Sequence, residues 1–291
     1  MASSQRLSPA GGAAILALTT AFWGSSFVVI KQISPGMPAS VICLARFAIA
    51  AIALSPFIRR DWKVWRYGIE LSAWLFAGYA TQAVALRYTS VNRCAFITAT
   101  YVVFVPLLAA FFGHRVRPIV WAAAGVALVG CGLLCGEGGG PNAGDLWSLG
   151  TAITWSVYIF RMEAIAVRFQ PLPLAVSQLI PVALFSGIWA AGTPEHLIAF
   201  HWPALIYLGL AATAATTWLQ AVAQQVVPSP QAAVIFTLEP VFASIFGYIM
   251  LGERLTIRGI IGAALIIAAA IAGQAPGISR KQFENTGIST S

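Results

Sequence analysis

Residues 13–31 read AAILALTTAFWGSSFVVIK, eighteen residues without a charge before Lys31. A helix of that length rises roughly 27 Å at 1.5 Å per residue, close to the ~30 Å hydrocarbon core of a bilayer. The run is followed by Ser34-Pro35-Gly36-Met37-Pro38. That is turn chemistry, not a small-residue cleavage site, so the stretch reads as a first spanning helix and not as a removed signal peptide.

The pattern recurs along the chain. Further apolar runs cover about 39–58, 69–87, 93–112, 118–135, 145–167, 173–191, 202–224, 231–251 and 257–274, ten in all with the first. Composition agrees: 59% of the 291 residues are hydrophobic and 9% charged, against about 25% charged in a soluble domain. So apolar a chain cannot cover itself with polar groups, and the excess must face lipid. The expected fold is an all-α membrane protein of ten transmembrane helices, with the lipid bilayer as its first partner.

The net charge of +8 does not point to nucleic acid, because the basic residues sit at the ends of apolar runs, where they act as orientation signals. With the N-terminus inside, ten loop Lys and Arg fall on the cytoplasmic side (Arg59, Arg60, Lys63 and Arg66 among them) and five on the other. The bias predicts a multi-pass protein of the cell (plasma or inner) membrane with both termini cytoplasmic. Cys43, Cys94, Cys131 and Cys135 lie in apolar runs without the further ligands a zinc site needs. Neither a metal nor another cofactor is implied.

The longest break, from Gly136 to Gly144, lies near the middle. It divides the chain into a cytoplasmic tail (1–12), a first five-helix unit (13–136), a glycine-rich linker (137–144), a second five-helix unit (145–274) and a disordered cytoplasmic tail (275–291). The units resemble each other. Trp23 of the first run matches Trp155 of the sixth. Thr98 to Tyr101 followed by Gly113-His114-Arg115 matches Thr237 to Pro240 followed by Gly252-Glu253-Arg254. The two matches keep their order and have similar shifts. Five spans is an odd number, so the second unit enters the membrane with opposite polarity. Two inverted five-helix repeats suit alternating access about a midplane site.

Ala21-Phe22-Trp23-Gly24-Ser25-Ser26-Phe27, Leu44-Ala45-Arg46-Phe47, and Leu238-Glu239-Pro240-Val241-Phe242-Ala243 with Leu251-Gly252-Glu253-Arg254-Leu255 resemble signatures of the drug/metabolite transporter superfamily, EamA type. The resemblance covers about 13–274 and implies ten helices in two repeats and the export or exchange of metabolites. It does not imply a substrate. His114 stands where the first repeat of that pattern carries a glutamate.

Ionisable groups at membrane depth are costly, which makes them functional candidates. Glu239, eight residues into the ninth run and followed by Pro240, can bind an amine or take a proton. Arg46, seven residues into the second, can bind a carboxylate or phosphate; its structural alternative is a salt bridge, Glu239 being one partner. Polar and aromatic pairs at helical spacing complete the expected substrate site: Trp23 with Ser26, Tyr79 with Gln82, Thr98 with Tyr101, and Trp155 with Tyr158. In the eighth run Thr213, Thr217, Gln220 and Gln224 form a polar stripe beside Trp218; Gln220 and Trp218 are included in the site. Lys31, Glu70, Arg161 and Glu163, near helix ends, are expected to snorkel to the interface. Gly132 and Gly136 in the fifth run, and Gly259 and Gly262 in the tenth, permit close packing within the chain or a homodimer face.

The expected function is secondary transport of a small organic metabolite, an amino acid or related amphipathic solute. The chain lacks Gly-x-x-x-x-Gly-Lys-Ser/Thr, so direct ATP drive has no support. A channel or scaffold is the alternative. An intramembrane enzyme is a more distant one, since His114, His196 and His201 are scattered.

Overall fold

The computed structural model describes residues 7–135, 140–193, 199–252 and 254–274. Residues 1–6 of the first tail, the whole second tail, residues 137–139 of the linker, Gly136, His196 and Glu253 lie outside the described residues. Within them the chain is helical, without a strand. The helices are α1 (Pro9–Ile33), α2 (Ala39–Leu54), α3 (Trp62–Ala85), α4 (Val91–Thr98), α5 (Tyr101–Phe111), α6 (Pro118–Cys135), α7 (Ala143–Ala166), α8 (Pro171–Ala191), α9 (Trp202–Gly209), α10 (Thr216–Ala223), α11 (Ser229–Phe236), α12 (Glu239–Leu251) and α13 (Ile257–Gly273).

Local sequence sets most helix starts. Ser8, Asp61, Ser90 and Thr256 each accept a backbone N–H in the first turn of the helix that follows. Asn142 and Asp145 form a reciprocal capping box at the head of α7. Proline opens α1, α6 and α8, where its missing N–H costs nothing. Beyond α5 and at the end of α12, Gly113 and Gly252 adopt φ of 81° and 70°, left-handed values that favour glycine.

Among the described residues seven stretches are long and apolar enough to cross a membrane: Pro9–Ile33, Ala39–Phe57, Arg93–Phe111, Pro118–Cys135, Pro171–Ala191, Trp202–Ala223 and Ser229–Leu251. The sequence predicts ten. The other three are α3 and α7, which each carry three charged residues, and α13, which has only 17 residues. The outer surface is apolar, with Ile52 71%, Phe111 83% and Ile188 73% exposed, as a lipid-facing surface must be. This is a multi-pass membrane protein.

Two spans are broken. Ala99 and Thr100 separate α4 from α5; Thr237 and Leu238 separate α11 from α12. A third changes pitch: Leu210–Ala215, between α9 and α10, is a π-helical turn. The main packing pairs are α6 with α13, α3 with α7, α2 with α8, α1 with α12, α3 with α8, α1 with α10, α5 with α7 and α2 with α9. The α6–α13 contact is backbone on backbone: a Cβ at Gly130 falls 2.8 Å from the Gly262 carbonyl oxygen, and one at Gly262 falls 2.6 Å from the Gly130 carbonyl oxygen. Gly132 faces Phe96, and Gly259 faces Leu134 and Leu255. Of the small residues expected to serve either packing or a homodimer, Gly132, Gly259 and Gly262 thus have packing contacts inside the chain.

Candidate functional site

A cavity of about 360 Å³ lies among α1, α2, α3, α4, α5, α7, α11 and α12. Its rim is the turn after α1 and the end of α3, where Ser34 and Leu86 are exposed. Its deep end is aromatic and charged. Trp23 of α1 and Trp155 of α7 meet there with ring centroids 6.2 Å apart. Phe236 lies 5.1 Å from Trp23, and Tyr79 lies 5.5 Å from Trp155. Trp23 and Trp155 therefore share one wall.

The helix breaks deliver polar groups to this point. Thr98 and Tyr101 flank the α4–α5 break, and Glu239 is the first residue of α12. Pro240 takes the second position, so it does not interrupt a continuous helix: α11 has already ended at Phe236. A carboxyl group in the first turn sits at the positive end of the α12 dipole.

Arg46 is 2% exposed. Its Nε donates to the Thr213 hydroxyl at 2.8 Å and its Nη2 to the Ala212 carbonyl at 3.0 Å, both in the π-helical turn. Its guanidinium lies 5.0 Å from the Tyr79 ring centroid, a cation–π distance. Among the described residues no salt bridge joins Arg46 to Glu239; both line the cavity. The site therefore presents a guanidinium and a carboxyl group between aromatic walls, not in direct contact with each other. It suits a small solute that carries both charges and an apolar body.

Nine of the expected site residues line the cavity: Trp23, Ser26, Arg46, Tyr79, Gln82, Thr98, Tyr101, Trp155 and Glu239. Three do not. Tyr158 is buried behind Trp155 and donates to Gln178 Oε1 at 3.0 Å. Gln220 is 1% exposed and donates to Gln224 Oε1 at 2.8 Å. Trp218 turns outward, 38% exposed. Phe27, Ile42, Arg87 and Phe236 also line the cavity. Sequence reasoning misses them, since apolar residues within apolar runs and an arginine at a helix end carry no distinguishing signal. Thr213 is visible in the sequence as part of the polar stripe, but not as the partner of Arg46.

The expected snorkelling residues mostly find protein partners instead. Arg161 pairs with Glu70 through two bonds of 2.5 and 3.0 Å, and Glu163 accepts the Ser229 backbone N–H at 2.7 Å, at the head of α11. Inside a helix bundle a fixed counter-charge or an orphan amide is a better partner than distant water.

Comparison with known proteins adds the family. Residues 11–136 and 142–272 each match the EamA-like transporter family. An uncharacterized transporter of Archaeoglobus fulgidus is 32% identical over 264 residues, covering 88% of this chain and 83% of the relative. The threonine/homoserine exporter RhtA of Salmonella typhimurium strain SL1344 is 27% identical, covering 88% of each chain, and that of Escherichia coli K12 is 28% identical, covering 83% of each. A protein of known crystal structure superposes with a TM-score of 0.77 at 19% identity, over 89% of this chain and 95% of that one.

Proposed function

Because this chain belongs to the EamA-like transporter family, we propose that it is a secondary transporter, exporting or exchanging a small amino acid or related amphipathic solute across the cell membrane. It works by alternating access, from a cavity between two inverted five-helix repeats that together make ten crossings. Both termini lie in the cytoplasm. The observation that carries the solute class is the cavity itself. Arg46 matches a carboxylate, Glu239 matches an ammonium group, and the Trp23–Trp155 wall takes the side chain. The exporters among the relatives agree with that chemistry.

The packing supports the repeat. Exchanging the halves turns the contact of α3 with α7 into that of α10 with α1, α1 with α12 into α7 with α5, and α3 with α8 into α9 with α2. All six contacts are present. The broken spans also exchange. The starts of α4 and α11, at Val91 and Ser229, are separated by the same offset as the starts of α5 and α12, at Tyr101 and Glu239. This register sets Tyr101 against Glu239, one place before the Pro240 that the sequence strings set against it.

The test is counterflow in proteoliposomes with a panel of neutral, acidic and basic amino acids, read alongside terminal-tag accessibility in intact cells. Saturable, stereoselective exchange of a neutral amino acid is expected, with both tags inside. Flux that rises linearly with concentration and ignores stereochemistry is the mark of a channel and sinks the reading.

A further inference from the structure

Several buried polar groups lie outside the cavity and cluster below it, toward the membrane face that carries the N-terminus. Gly12, near the head of α1, packs against Ala223 and Val227 beside them. Tyr158, Gln178, Gln220 and Gln224 are each no more than 1% exposed. They bond among themselves and to backbone: Tyr158 donates to Gln178 at 3.0 Å, Gln178 to the Leu174 carbonyl at 3.1 Å, Gln220 to Gln224 at 2.8 Å, and Gln224 to the Ile159 carbonyl at 2.9 Å. Amides are an expensive way to fill a membrane-embedded core, where apolar side chains pack without needing partners. Their presence calls for a second use.

The repeat supplies one. α2 and α8 begin at Ala39 and Pro171, at the offset that separates Trp23 from Trp155. α3 and α10 end at Ala85 and Ala223, at the offset that separates the start of α4 from that of α11. With these registers the cavity-lining Ser26, Arg46, Gln82 and Leu86 fall on Tyr158, Gln178, Gln220 and Gln224. The deep residues instead fall on one another: Trp23 on Trp155, and Tyr101 on Glu239. One set lines an open cavity, its counterpart is closed, and the shared residues lie between.

We propose that Tyr158, Gln178, Gln220 and Gln224 are the lining of a second vestibule, shut in this structure, through which the solute passes between the Trp23–Trp155–Glu239 site and the N-terminal face. The inference rests on the inverted-repeat reading above. Its chemistry differs from that of the open vestibule, because these positions offer amides and a phenol where the other offers a guanidinium. Uncharged groups that can either bond one another or bond water and solute leave few polar atoms unpaired in either state. They also let a zwitterion leave without a fixed charge to hold it.

Single cysteines test this in the full chain. Ala83 and Leu86 line the open cavity, and Ala221 and Gln224 are their counterparts. Each is replaced by cysteine and exposed to a membrane-impermeant methanethiosulfonate from either face of oriented vesicles. The unaltered chain, whose four cysteines are buried, gives the background. A83C and L86C are expected to react from the face of the α1–α2 turn. A221C and Q224C are expected to react only from the N-terminal face, at least about tenfold more slowly, because that vestibule is open only in the alternate state. The small change in A221C covers the case in which Q224C folds poorly. Reaction of A221C from the α1–α2 face, or from neither face, overturns the inference. The transporter reading fails separately, if the unaltered chain carries no solute.

Discussion

The two broken spans invite a direct comparison. The α4–α5 break presents Thr98 and Tyr101; the α11–α12 break presents Phe236 and Glu239 at the places that the proposed repeat sets against them. Both breaks aim the head of a half-helix at one cavity, and both broken spans run on to a left-handed glycine. Only one carries a charge. The same split recurs in the helices that precede them, where Arg46 on α2 has Gln178 as its counterpart on α8. On the inverted-repeat reading proposed above, the backbone repeats, while the buried ionisable groups of the site, Arg46 and Glu239, do not. A symmetric scaffold can move a site between two faces; an asymmetric charge pair gives the bound solute one orientation.

That comparison can be broken most sharply at the two breaks. Glu239→Gln removes the charge and keeps the shape, and loss of a charged hydrogen bond of about 1.5–3 kcal/mol corresponds to a fall of about tenfold to a hundredfold in solute flux. Tyr101→Phe, at the counterpart, is expected to cost about tenfold at most. Initial rates in proteoliposomes at equal protein incorporation decide it. Equal losses from the two variants end the claim that the halves differ in ionic chemistry.

Exchanging the second pair sharpens the same point. Arg46→Gln gives both halves the residue of α8. It removes the bonds to Thr213 and Ala212 and leaves any solute carboxylate without its fork. A loss of roughly 2 kcal/mol of charged hydrogen bonding raises the KM about thirtyfold. Arg46→Lys restores charge without the planar fork and is expected to recover only part of the affinity. Full recovery by lysine assigns Arg46 a purely electrostatic role and discards the bidentate match.

Much of this is legible in the sequence, for identifiable reasons. Membrane helices announce themselves by composition, because lipid accepts no unpaired backbone and few charges. Glu239 and Arg46 stand out because ionisable groups there are rare. The proposed repeat rests in the sequence on Trp23 and Trp155 and on the glycine pair. Other features are not legible. The ends of α4 and α11 are one such feature, and no residue type marks both of them: Ala99-Thr100 and Thr237-Leu238 are ordinary helical dipeptides. Helical spacing also cannot say which face of α10 turns inward. The expected site includes both Gln220 and Trp218, although the structure sends one into the bundle and the other out.

That last pair gives the smallest expected effect. Trp218 and Gln220 are two residues apart, so roughly 200° separates them around α10 at 3.6 residues per turn. Gln220 is 1% exposed and bonded to Gln224, whereas Trp218 is 38% exposed. On the outer surface a tryptophan exchanges contact with lipid tails for contact with other lipid tails when it is truncated, and no solute contact is lost. Trp218→Ala is therefore expected to change flux by less than about twofold, within the ~0.5 kcal/mol typical of surface substitutions. A tenfold loss at normal expression places Trp218 on the solute path and reverses the assignment of the inner and outer faces of α10.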